Sequence, residues 1–117
     1  MGENISKRFL MKQGFSVIDT NYYTRLGEID IIARKESKYY FFEVKTIVSY
    51  ETVSRETYMP QNNLTHSKLR KISYVATIYL DKRLGEGHNT YWQIGFVGII
   101  LSPDFKKVKI DFNDNVI

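Results

Sequence analysis

Two β-patterned segments, residues 27–34 and 39–48, are separated only by Lys35-Glu36-Ser37-Lys38. So short a connection joins antiparallel strands and nothing else. Whether the loop is Glu36-Ser37 or all four residues, the register is the same: Asp30 meets Glu43 and Glu28 meets Lys45. Side chains alternate across a strand, so Glu43 and Lys45 leave one face, on either side of Val44. In the first segment Ile29, Ile31 and Ala33 are expected on one face, with Glu28, Asp30 and Ile32 on the other. The second is aromatic and β-branched on both faces, as a central strand should be.

The remaining elements are placed around this hairpin. Residues 2–13 read as a helix with an apolar stripe of Ile5, Phe9 and Leu10, stopped by Gly14. Residues 15–23 form a first strand. Residues 49–63 contain Pro60 and adjacent asparagines without a sustained period, which predicts a long loop. Thr65 or Asn63 caps a second helix, whose apolar positions Leu69, Ile72, Val75, Ala76, Tyr79 and Leu80 run to Gly85. Residues 91–101 make a fourth strand interrupted by Gly95 and Gly98, with Trp92 and Phe96 in the core. After the turn Ser102-Pro103-Asp104, Val108, Ile110 and Phe112 alternate in a fifth strand. The order αβββαββ predicts an α/β fold, a mixed central sheet flanked by helices, in a single domain of 117 residues.

Composition narrows the chemistry. There is no cysteine, which excludes a disulfide framework and a thiolate zinc site, and the histidines are only His66 and His88. A bound metal is therefore expected to be hard and held by oxygen. No apolar run is long enough to span a bilayer and the N-terminus has no signal-peptide layout, so a cytoplasmic protein without a membrane partner is expected. The net charge of +4 favours a polyanionic partner. Much of the surplus falls on the second helix, where Lys68, Arg70, Lys71, Lys82 and Arg83 face the single acid Asp81. Lys68, Arg70 and Lys71, near the helix start, form a candidate nucleic-acid-binding face. A merely solvated face is the other reading. His66 has no visible partner and at most a phosphate contact.

The hairpin carries the chemistry. Directly opposed residues have Cβ atoms about 4.5–5.5 Å apart, and like charges there destabilise unless neutralised. A cation between Asp30 and Glu43 is the natural remedy: Mg²⁺, with Mn²⁺ as the substitute, bound by carboxylates, waters and a phosphate oxygen. Lys45 can then orient the attacking water or offset developing charge. A solvated strand face with Lys45 as counter-ion fits the same spacing. Glu3 opens the first helix, where an acid also favours the helix dipole.

Gly2-Glu3, Gly27-Glu28-Ile29-Asp30 and Phe42-Glu43-Val44-Lys45-Thr46 occur in that order. With them, the chain resembles the bacterial YraN-type family, relatives of archaeal Holliday-junction resolvases within the PD-(D/E)xK nuclease fold. The tail Asp111-Phe112-Asn113-Asp114-Asn115-Val116-Ile117 resembles that family's terminal strand, so the likeness covers nearly the whole chain. It implies a restriction-endonuclease-like fold, Asp30 and Glu43 as metal ligands, Lys45 as the motif lysine and Glu3 as an additional helix-borne acid. The activity implied is Mg²⁺-dependent endonucleolytic cleavage of DNA, branched DNA included, with a homodimer as one assembly to expect. One departure is Gly95, where relatives usually carry an acid. The alternatives are a nucleic-acid-binding module that keeps the fold without cutting, and a protein-interaction role with a residual site.

Overall fold

The predicted hairpin forms the middle of the sheet. A computed structural model describes residues 2–49 and 64–116. In chain order the elements are α1 (Gly2–Lys12), β1 (Ser16–Thr24), β2 (Gly27–Lys35), β3 (Lys38–Val48), α2 (His66–Leu84), β4 (Trp92–Leu101) and β5 (Val108–Asn113). The strands lie in the order β1-β2-β3-β4-β5. All neighbours are antiparallel except β3 and β4, which run parallel. A parallel pair needs a crossover, and α2 lies between these two strands in the chain. The result is a mixed α/β sheet with a helix on each face, the restriction-endonuclease-like arrangement expected. No helix among the described residues is long and apolar enough to cross a membrane.

Two apolar layers hold the helices. On one face Ile72, Val75, Ala76, Tyr79 and Leu80 of α2 pack on Ile29, Ile32, Phe41 and Ile94. On the other, Leu10 of α1 and Phe15 pack on Ile31, Ala33, Tyr40, Phe42, Val97, Ile99 and Leu101. β3 supplies both layers from successive residues, which is why its sequence is apolar on both sides. Each such fully buried large side chain contributes about 1.5–3 kcal/mol. α2 begins where Thr65 Oγ1 accepts from the Lys68 N–H at 3.1 Å, and ends at Gly85, with φ of 88°. Asn63 and nearly all of the predicted 49–63 loop lie outside the described residues.

The structure corrects two details of the strand pattern. β4 is not interrupted by its glycines, since every residue from Trp92 to Leu101 pairs with β3. Gly95 is instead a site of close approach: an added Cβ would overlap the Phe42 ring and come 3.0 Å from the Asn113 carbonyl oxygen. An acidic side chain has no room there without a shift of the core. Gly95→Ala should therefore lower stability by about 1–3 kcal/mol, as overpacking does. An unchanged urea midpoint would show that the ring yields freely.

The second correction concerns β2. Ile29 does not share a face with Ile31 and Ala33; it joins Ile32 in the layer beneath α2. Strict alternation thus breaks at Asp30. The β2–β3 ladder keeps the predicted register but stops at Ile31↔Phe42. Beyond it, β2 stays paired with β1 as far as Gly27, and β3 with β4 as far as Val48. The sheet forks there.

Candidate active site

Val44 lies just past the last β2–β3 pair, and its N–H donates to Asp30 Oδ2 at 2.7 Å. This bond bridges the fork and fixes the carboxylate. Glu43, on the neighbouring position of β3, shares a hydrogen bond with Asp30, and both groups are partly buried. Burial raises the Glu43 pKa to about 7, and the charge of Asp30 adds to the effect while Lys68 opposes it. The Asp30 pKa is also raised, chiefly by burial, against the lowering effect of the Val44 N–H; Glu28 and Glu3 add repulsion. The shared hydrogen bond favours the charged form of Asp30 and the neutral form of Glu43, so the proton between them belongs mainly to Glu43.

The two carboxyl groups therefore meet as the register predicts, although no ladder bond joins their strands there. Glu28 does not meet Lys45. The β2–β3 ladder ends three residues before it, at Ile31, and on its other edge Glu28 pairs with Tyr23 of β1, next to the β1–β2 turn. That turn is tied by Thr24 Oγ1, which donates to the Gly27 carbonyl at 2.8 Å and accepts from the Leu26 N–H at 3.2 Å. Lys45 is exposed, opposite Gly98 of β4 and two residues beyond Glu43. Among the described residues, the cation that acts on Glu43 is Lys68 of α2.

Glu3 reaches the fork from the other helix. The start of α1 sits so close to β3 that a Cβ on Gly2 would overlap Thr46 Oγ1. From there Glu3 Oε2 accepts from Asn21 Nδ2 at 2.8 Å, and its charge reaches Asp30. Asn21 is the participant that pattern reading missed. Its one signal is an asparagine inside a β-patterned run, where a strand disfavours it; the backbone there is left-handed, with φ of 51°.

The basic residues divide. Lys68 stands by Glu43, and Lys71 lies beside the start of β2, its Cβ 3.9 Å from where a Gly27 Cβ would be. Arg70 and His66 are exposed on α2. Arg83 is occupied at the far end of the helix, donating to the hydroxyls of Tyr39 at 3.2 Å and Tyr79 at 3.3 Å. That part of the basic surplus serves the core.

Among the described residues no three or more carboxylate, imidazole or thiol groups are gathered as a metal cage. The donor set is the pair Asp30 and Glu43. Two partly buried carboxyl groups that must share a proton to coexist suit a hard divalent cation, which could replace that proton. Mg²⁺ needs only one or two carboxylates, the rest of its shell being water and substrate.

The family model described as "Uncharacterised protein family UPF0102" matches residues 2–108, a span that contains Glu3, Asn21, Asp30, Glu43, Lys45 and all of α2. A UPF0102 protein of Campylobacter hominis is 36% identical over 115 residues, covering 97% of this chain and 88% of its own length. One of Clostridium perfringens is 35% identical over 112 residues, covering 95% and 85%. One of Sulfurimonas denitrificans is 39% identical over 82 residues, covering 70% and 69%. On the strength of this full-length similarity, the chain belongs to the UPF0102 family.

Proposed function

We propose that the chain is a divalent-metal-dependent endonuclease that hydrolyses DNA phosphodiester bonds at the fork between β2 and β3. The observation that carries this reading is the hydrogen-bonded pair Asp30 and Glu43, pinned by the Val44 N–H beside the Lys68 ammonium. Asp30 and Glu43 would hold Mg²⁺ or Mn²⁺, which when bound supplies Lewis acidity toward a phosphate oxygen and lowers the pKa of a coordinated water. Lys45, on the same strand and exposed, orients the attacking water or takes up charge on the phosphate as the P–O bond breaks. Lys68 offsets the negative charge around Glu43, which would otherwise repel the substrate. The choice of DNA, branched DNA included, rests on the PD-(D/E)xK resemblance, an argument by fold analogy.

One observation favours the non-cleaving alternative, a binding module that keeps the fold. Lys45 does not face Glu28, and among the described residues the cation felt by Glu43 is Lys68. A panel of duplex, single-stranded, flapped and four-way DNA, with Mg²⁺ or Mn²⁺, separates the readings. Cleavage of any member that is abolished by chelation supports the nuclease; binding without cleavage across the panel supports the module.

The basic face has its own test. Lys68→Ala, Arg70→Ala and Lys71→Ala should each weaken DNA binding alike for all sequences, and shallow the salt dependence by about one unit of slope per lost phosphate contact. A triple variant with the wild-type slope would return this face to a solvated role.

A further inference from the structure

We propose that Asn21 is a positioning residue that holds the Glu3 carboxylate toward Asp30 as a third acidic group of the fork. The inference rests on the metal-site reading above and deepens it. The β1–β2 ladder passes from Thr20↔Ile31 to Tyr22↔Ile29, so Asn21 and Asp30 are the one opposed pair it skips. At that skipped position the chain turns left-handed, with φ of 51°, and the Asn21 amide crosses to α1 to donate to Glu3 Oε2. The residue that breaks the ladder is thus the one that ties helix to fork.

Charge explains why an amide suits this place. Glu3 reaches Asp30 where Glu28 and Glu43 already lie near, so Coulomb repulsion alone would drive its carboxylate toward solvent. A lysine or arginine at position 21 would hold it but cancel its charge. A neutral N–H donor holds the carboxylate and leaves its negative charge available to a cation on the Asp30 and Glu43 pair through a bound water. Asparagine also tolerates the left-handed backbone better than nearly every residue except glycine.

That exception supplies the test. Asn21→Gly keeps the left-handed backbone open and removes only the amide. Mn²⁺ affinity is measured by calorimetry on the whole chain, with melting temperature in chelator to show that each variant is folded. Asn21→Gly should bind Mn²⁺ about tenfold more weakly, in the range seen when a group supporting a ligand is lost. In a Glu3→Gln background Asn21→Gly should have no further effect. Wild-type affinity in Asn21→Gly, or an equal loss with and without Glu3, would overturn the proposal and leave Asn21 as a backbone device. A wild-type chain that binds no Mn²⁺ would overturn the metal-site reading and this one with it.

Discussion

Glu43→Gln is expected to weaken Mn²⁺ or Mg²⁺ binding by at least about 100-fold, while Lys45→Ala binds the metal nearly as the wild type does. Both should lower cleavage by on the order of 10³-fold, the scale of losing one group that stabilises the transition state. The different metal responses follow from where the side chains stand. Glu43 is partly buried against Asp30 and is one half of the donor pair; Lys45 is exposed and belongs to neither carboxylate. Glutamine preserves the size of Glu43, and its amide can still donate to Asp30, so the fork should keep its shape. Removing a carboxyl group that is costly to ionise should leave the metal-free fold as stable or more so. Exposed Lys45 should cost the fold no more than about 0.5 kcal/mol when truncated. Calorimetry with metal, DNA affinity in chelator and cleavage, run on the three proteins in parallel, decide the matter. Metal binding retained by Glu43→Gln would remove the donor pair, and wild-type cleavage by Lys45→Ala would remove the motif lysine from the mechanism.

The hairpin was legible because two local rules agree on it. Alternation defined the strands, and the four-residue connection fixed the register, so the meeting of Asp30 with Glu43 followed without tertiary information. The fork did not follow. Whether a ladder continues depends on what holds each strand's outer side, and here β1 keeps β2 while β4 keeps β3. The fork is also why Glu28 has no partner on β3. Gly95 was read as a strand breaker because sequence shows its missing side chain but not the Phe42 ring filling the space. In the sequence Lys68 is one of three cations on a helix face; only packing of α2 against the sheet shows that its charge reaches Glu43. The placement of Glu3 beside Asp30 came from the family resemblance, and its tether to Asn21, from a residue 18 positions away, had no short-range signal.

The decline of stability with pH that Glu43 contributes should vanish when metal is added. Without metal, folded Glu43 titrates at about 7 against an ordinary value of 4.5. Between those values the folded chain holds a proton that the unfolded chain has released, so stability falls as pH rises through the window and levels off above it. The raised pKa of Asp30 acts in the same direction and extends the decline toward lower pH. The partial exposure of both groups reduces the size of the effect through solvent screening but not its sign. Saturating Mg²⁺ selects the ionised pair and expels the shared proton. Apparent affinity should then rise by about tenfold per pH unit up to roughly neutral pH, and the stabilisation due to metal should rise with it. Contributions shared by the wild type and a variant cancel in a difference. The useful quantity is therefore the difference in urea midpoint between wild type and Glu43→Gln, measured from pH 4 to 8 in chelator and again in Mg²⁺. In chelator the wild type should lose ground to the variant as pH rises from about 5 to 7; in saturating Mg²⁺ that loss should disappear, because neither the metal-bound nor the unfolded chain then holds the proton. Parallel curves in chelator would mean that Glu43 ionises as an ordinary solvated carboxylate. The fork would then have no proton for a metal to replace.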